Sequence, residues 1–254
     1  MAAIVSVLKL LVGLAVLLAA ALLQTAILLA LLPFRVARIR SCIVFARLIG
    51  ASSLALIGCR LNVTGREHLD RRRPAIYVVN HVSLLDFFIA ARIMPYGTVG
   101  ILKRQVVYYP ILGQLVLLTG HLRIDRGNRE GAVASLKALA DLVRRARLSI
   151  YLSPEGTRSR TGRLLPFKKG PAHLALQTGL PIVPIVVQGA HTAWKPDSLA
   201  LRGGRIQVDV LPAIDTSAWT PETTGLHMEE LHQLYVEHLP EDQRPVEVAE
   251  ATGI

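Results

Sequence analysis

Cysteine is almost absent from this chain. Its 254 residues include only Cys42 and Cys59, both in the apolar N-terminal region. Two cysteines make no disulfide framework, which excludes a small stapled fold and suits a reducing compartment. Aromatic residues are scarce too, at 5%. No nucleic-acid-binding motif accompanies them, so nucleic acid is the weakest partner class. Acidic residues number 18 against 29 lysines and arginines, a net charge of +11. That excess points to an anionic membrane surface or a phosphorylated substrate. The length allows one good-sized domain plus an appendage, with a core that needs no staples.

Charge is missing altogether from Leu10 to Leu32, LLVGLAVLLAAALLQTAILLALL. As a helix this run is roughly 34 Å long, enough to cross a hydrocarbon core of about 30 Å. A secretory signal has a shorter apolar region and a small-residue cleavage site, which is not evident here. Arg35, Arg38 and Arg40 follow Pro33, while only Lys9 and the amino terminus are positive on the other side. The arginine excess places that side in the cytoplasm. A second apolar run, Cys42 to Gly58, carries Arg47. An arginine at mid-bilayer costs about 2.5–3.5 kcal/mol, so this run is expected to lie at the interface with Arg47 reaching the headgroups. Residues 1–60 are thus expected to form a two-helix membrane element. Its first helix either spans or dips in.

From about Leu61 short β-branched runs alternate with helical spacing. AIYVVN, TVGILK, HLRID, LSIYLS, IVPIVVQG and RIQVDVL predict strands. Helices are predicted over 84–94, 130–147, 171–178 and 228–238. This alternation predicts an α/β domain over 61–239 with a largely parallel central sheet flanked by helices. Two prolines in LPIVPIVVQGAH predict that its strand lines the sheet border. Residues 240–254 read as a flexible tail.

In an α/β sheet, ligands gather at the carboxyl ends of strands. His81 follows one such strand in VVNHVSLLDFF, and Asp86 comes five positions later. A carboxylate on one imidazole nitrogen fixes the tautomer and leaves the other nitrogen to act as a base. The same residues also suit a plain surface loop in which Ser83 or Asp86 caps the next helix. A zinc site needs at least three protein ligands, and this pair offers two. A second strand ends in YLSPEGTRSRTGRLLPFKKG. Gly156 admits a ligand close to the backbone, and Arg158 offers a planar fork for phosphate oxygens. Glu155 beside these cations is read as ionised, orienting Arg158 or binding a substrate hydroxyl. Arg160, Arg163, Lys168 and Lys169 read as solvated loop charges. Lys103, in GILKRQVVYYPILG, is a candidate second phosphate contact or an ordinary strand-end charge. His191, like His68, His121 and His173, reads as incidental.

Taken in order, NHVSLLD, GILKRQVVYYPILG with GHLRIDR, LSPEGTRSR and LPIVPIVV resemble the glycerolipid acyltransferase family, in particular its bacterial 1-acyl-glycerol-3-phosphate acyltransferases. The likeness covers roughly residues 75–190. It implies that His81 and Asp86 are the catalytic pair of an HX4D motif. It implies that Glu155, Gly156, Thr157 and Arg158, with Lys103, hold the acceptor's phosphate. It further implies a membrane enzyme of phospholipid biosynthesis, on the cytoplasmic face, that takes an acyl group from acyl-CoA or acyl-carrier protein without metal or other cofactor. One departure is Ser153, where the family has phenylalanine. Two alternatives are acylation of another lysolipid, such as lyso-ornithine lipid, and a noncatalytic membrane protein that binds phospholipid. The His81/Asp86 pair speaks against the second, because binding alone needs no braced base.

Overall fold

The computed structural model describes residues 2–108, 112–124, 129–195 and 198–246. Its strands are β1 (Cys59–Thr64), β2 (Ile76–Val79), β3 (Thr98–Lys103), β4 (Leu122–Ile124), β5 (Ser149–Leu152), β6 (Ile182–Gln188) and β7 (Gly204–Val210). Its helices are α1 (Ala2–Ala30), α2 (Arg35–Ile57), α3 (Leu85–Ile93), α4 (Leu112–Thr119), α5 (Arg129–Ala146), α6 (Gly170–Thr178), α7 (Ala190–Ala193) and α8 (Thr224–His238). One sheet runs β1-β7-β6-β2-β5-β3-β4. All neighbours are parallel except β6 with β7. The expected α/β architecture is therefore present.

Strand periodicity divides the core. Tyr77 and Val79 of β2 face a cluster built with Ile43 and Leu54 of α2, Leu85 and Ile89 of α3 and Ala190 of α7. Ile76 and Val78 point the other way, toward Leu139 and Val143 of α5, Leu174 of α6 and Leu231 and Tyr235 of α8. All four residues of β2 are buried, as a strand covered on both faces requires.

The border expected at LPIVPIVVQGAH is not there. β6 lies inside the sheet, between β7 and β2. Pro184 is tolerated because the β7 ladder begins one residue later, at Ile185. On the β2 side the Tyr235 hydroxyl, from α8, completes the gap. It accepts the Ile185 N–H at 3.1 Å and donates to the Val78 carbonyl at 2.5 Å. A further strand, β1, was not expected. It forms because its carbonyls and amides find β7 in parallel register from Cys59↔Gly204 to Thr64↔Asp209.

Helix α2 joins the membrane element to the sheet. Arg47 does not reach for headgroups; it donates to the Met94 carbonyl, the C-cap of α3, at 2.8 Å. Arg38 donates to Leu118 O in the last turn of α4 at 2.6 Å, and Arg40 to Ala146 O at the end of α5 at 3.3 Å. Arg35 reaches Gly120 O, just past α4, at 3.1 Å. Terminal carbonyls of a helix lack internal partners and carry partial negative charge, so cations suit them. The basic residues after Pro33 thus cap three helices of the α/β domain. Both α1 and α2 are long and apolar enough to cross a membrane, but α2 has more of its apolar window buried, 28% against 6%. The apolar surface of α1, including Leu8, Leu11 and Leu22, is left exposed and suits membrane association. Beyond Pro240 the chain stays packed for a few residues. Leu164 donates its N–H to Gln243 O at 2.8 Å and Arg163 donates to Arg244 O at 3.0 Å. Residues 247–254 lie outside the described residues.

At the α2–α3 crossing, a Cβ on Gly50 would lie 2.6 Å from Phe88 O and 3.0 Å from Arg92 N. Gly50→Leu must push these backbones apart, at a cost of about 1–3 kcal/mol. Thermal unfolding in detergent should show a lowered midpoint, and an unchanged midpoint would contradict this crossing.

Candidate active site

β2 ends at Val79, and a side chain takes over its pairing. The buried Asn80 amide clasps Val187 of β6: Oδ1 accepts its N–H at 2.8 Å and Nδ2 donates to its carbonyl at 2.9 Å. His81 is the next residue. The chain then turns so that Asp86, in the first turn of α3, faces back. One carboxylate oxygen, Asp86 Oδ2, accepts from His81 Nδ1 at 2.7 Å, Val82 N–H at 2.7 Å and Ser83 N–H at 2.8 Å. With Oδ2 as the acceptor of all three bonds, a neutral His81 has its proton on Nδ1, and Nε2 is the nitrogen left to act as a base. The helix-capping alternative is realised alongside the dyad, since Ser83 Oγ accepts the Leu85 N–H at 3.2 Å. The Asp86 side chain is 1% exposed and that of His81 34%. A shielded carboxylate braces a ring that substrate can still reach.

The second motif meets the first because β5 pairs directly with β2. Ser153 to Arg158 therefore leave the sheet beside His81. Ser159 N–H donates to His81 O at 2.8 Å, and Glu155 Oε1 accepts the His81 N–H at 3.3 Å. Both backbone groups of His81 are thus held by the downstream loop. Arg158 is half-buried and makes no hydrogen bond or ion pair among the described residues. Thr157 is exposed at the turn, and Gly156 takes φ +70°, a conformation that favours glycine. Lys103 closes β3, and its side chain lies outside the described residues.

Glu155 departs from expectation. It is 1% exposed, turned toward His81 and not toward Arg158. Burial, with the Asp86 charge adding to it, pushes its carboxyl up to about 8. Burial thus favours its protonated form, and no hydrogen bond or ion pair joins it to Arg158 among the described residues. Its place is behind His81, as a positioning group.

Three contributors were not legible in the sequence. Asn80 at a buried strand end was the one visible signal. Ser159 acts through its backbone. His191 looks incidental in sequence, yet its Nδ1 lies 3.3 Å from Val82 O and its ring fills the space where a Cβ on Gly162 would be, 2.6 Å away.

Fold and site together define an α/β protein in which an imidazole braced by a carboxylate is joined, through its backbone, to the loop that carries Arg158. The comparisons name the family. The Acyltransferase family model matches residues 60–188, and the chain belongs to that family. A 1-acyl-sn-glycerol-3-phosphate acyltransferase of Cocos nucifera is 45% identical over 220 residues, covering 87% of this chain and 71% of that protein. One of Salmonella typhimurium is 37% identical over 198 residues, covering 78% and 80%. The crystal structure of a 1-acyl-sn-glycerophosphate (LPA) acyltransferase from Thermotoga maritima superposes with a TM-score of 0.75 at 20% identity, covering 94% of this chain and 97% of that one. At that identity the likeness concerns the fold alone.

Glu155 sets a pH dependence of stability. The unfolded chain ionises it near 4.5, while the fold keeps its proton up to about 8. Between these values the folded state binds more protons, so this group's contribution to stability is lost as pH rises. Glu155→Gln removes that loss. Melting curves should show the variant gaining on wild type from pH 5 to pH 8 and no further above. A difference independent of pH would contradict the buried neutral carboxyl.

Proposed function

We propose that this acyltransferase moves a fatty acyl group from a thioester donor, acyl-CoA or acyl-carrier protein, to the free hydroxyl of 1-acyl-glycerol-3-phosphate, giving phosphatidic acid. The carrying observation is the joined pair of loops: a His81/Asp86 dyad whose backbone is gripped by the loop bearing Arg158. The names of the relatives agree with that acceptor.

In this reading the acceptor's acyl chain stays in the leaflet and its phosphate rests on Arg158. The hydroxyl reaches His81 Nε2, which takes its proton as the oxygen attacks the thioester carbonyl. Asp86 stabilises the imidazolium that forms. Collapse of the tetrahedral intermediate breaks the C–S bond, and His81 returns the proton to the leaving thiolate. A covalent acyl-enzyme is not needed, so Ser83 has no call to be a nucleophile. It is buried, with its hydroxyl donating to Trp194 O at 2.8 Å. The exposed apolar face of α1 holds the enzyme at the membrane, with the α/β domain on the cytoplasmic side. A phosphate-free acceptor such as lyso-ornithine lipid would leave Arg158 unused.

The test is one assay of purified enzyme with labelled acyl-CoA and a panel of lysolipids, read by product mass. Lysophosphatidic acid should gain one acyl chain. Turnover of lyso-ornithine lipid with none of lysophosphatidic acid would overturn the acceptor. His81→Ala should lose at least about 10²–10⁴-fold in kcat, the worth of a general base. Arg158→Ala should chiefly raise the acceptor KM. Substantial turnover by His81→Ala, or an unchanged acceptor KM in Arg158→Ala, would contradict the respective role.

A further inference from the structure

Two adjacent lysines, Lys168 and Lys169, follow the Arg158 loop, and the fold sends them in different directions. Lys168 N–H donates to Pro154 O at 2.8 Å, which roots its backbone beneath the Pro154–Gly156 turn. Its side chain then lies along that turn. A Cβ on Gly156 would be 3.0 Å from Lys168 Cδ and 3.2 Å from both Cε and Nζ. The whole outer half of the lysine therefore occupies the ground that a larger residue at 156 would fill. Glycine there does more than permit φ +70°; it gives the lysine its bed. Lys169 points elsewhere, with Nζ 3.6 Å from the Cβ position of Gly225 in α8.

Lys168 is exposed and makes no side-chain hydrogen bond or ion pair among the described residues. The nearest carboxyl in sequence, Glu155, is buried and turned to His81. One glycine turn is thus bordered by Lys168, laid along it, and leads two residues on to Arg158. A phosphate monoester carries about −1.5 to −2 charge at neutral pH. One guanidinium fork matches part of that charge, and a compact ammonium can match the rest.

We propose that Lys168 is a second phosphate contact of the acceptor site, lying along the Gly156 turn that leads to Arg158, and that it selects lysolipids whose headgroup is a phosphate monoester. The assignment rests on the acceptor reading given above. It separates Lys168 from the loop charges Arg160, Arg163 and Lys169, which read alike along the chain.

The test compares Lys168→Met with Lys169→Met, assaying lysophosphatidic acid and monoacylglycerol as acceptors and acyl-CoA as donor. For Lys168→Met, KM for lysophosphatidic acid should rise about 10–100-fold, the worth of one charge-assisted contact. Its kcat should stay within about threefold and its donor KM should not move. Preference for lysophosphatidic acid over monoacylglycerol should fall by the same factor. Lys169→Met should match wild type, and Lys168→Arg should recover most of the affinity. The assignment is overturned if the acceptor KM is unchanged in Lys168→Met, if the donor KM rises instead, or if a folded Lys168→Arg is as poor as Lys168→Met. Wild-type enzyme that takes monoacylglycerol as readily as lysophosphatidic acid would instead overturn the acceptor reading itself.

Discussion

The site depends on one carboxylate oxygen, Asp86 Oδ2. It takes three donors at once, the His81 ring and the N–H groups of Val82 and Ser83. Asp86 is buried, and three bonds of this length hold its oxygen in one place. The same oxygen that sets the imidazole tautomer also winds the chain between His81 and α3. Catalytic geometry and loop geometry are therefore one constraint. The leucines and phenylalanines around it divide by role. Leu85 is buried beneath the loop, whereas Leu84 and Phe87 stay exposed on the side of α3 beside the dyad.

A second carboxyl lies close by, and the two are kept different. Asp86 takes three donors on one oxygen. Glu155 accepts from the His81 backbone, and burial favours its protonated form. Two buried negative charges flanking one histidine would repel each other. A protonated Glu155 avoids that repulsion while its Oε1 still grips the His81 backbone. The membrane element is tied into this arrangement through α2, whose arginines cap α3, α4 and α5. Because α3 carries Asp86, the helix bound to the membrane element also fixes the brace of the dyad.

Much of this was legible in the sequence where the signal is local. Strand–helix alternation predicted the parallel core. The spacing of His81 and Asp86 allowed their meeting as one of two readings, and the structure brings them to 2.7 Å. Arg158 was expected just past a strand end, and it lies there. Features made by distant segments were not legible. β6 looks like an edge because of its prolines, yet an interior strand holds Pro184 because the β7 ladder starts one residue later, at Ile185. Arg47 looks like a headgroup contact until Met94 O is found beside it. Glu155 looks ionised among cations, because burial cannot be read from neighbours in sequence. Lys168 and Lys169 are chemically identical and adjacent, and only their glycine neighbours tell them apart.

The most direct test of the account is the protonation pattern of the His81 ring. Nitrogen NMR of the folded enzyme at neutral pH, with the His81 signal assigned by its loss in His81→Gln, reports which ring nitrogen carries the proton. The account predicts the proton on Nδ1, facing Asp86, and a bare Nε2. A proton on Nε2 would mean that Asp86 does not brace the ring as a charged acceptor, and His81 could not serve as the base.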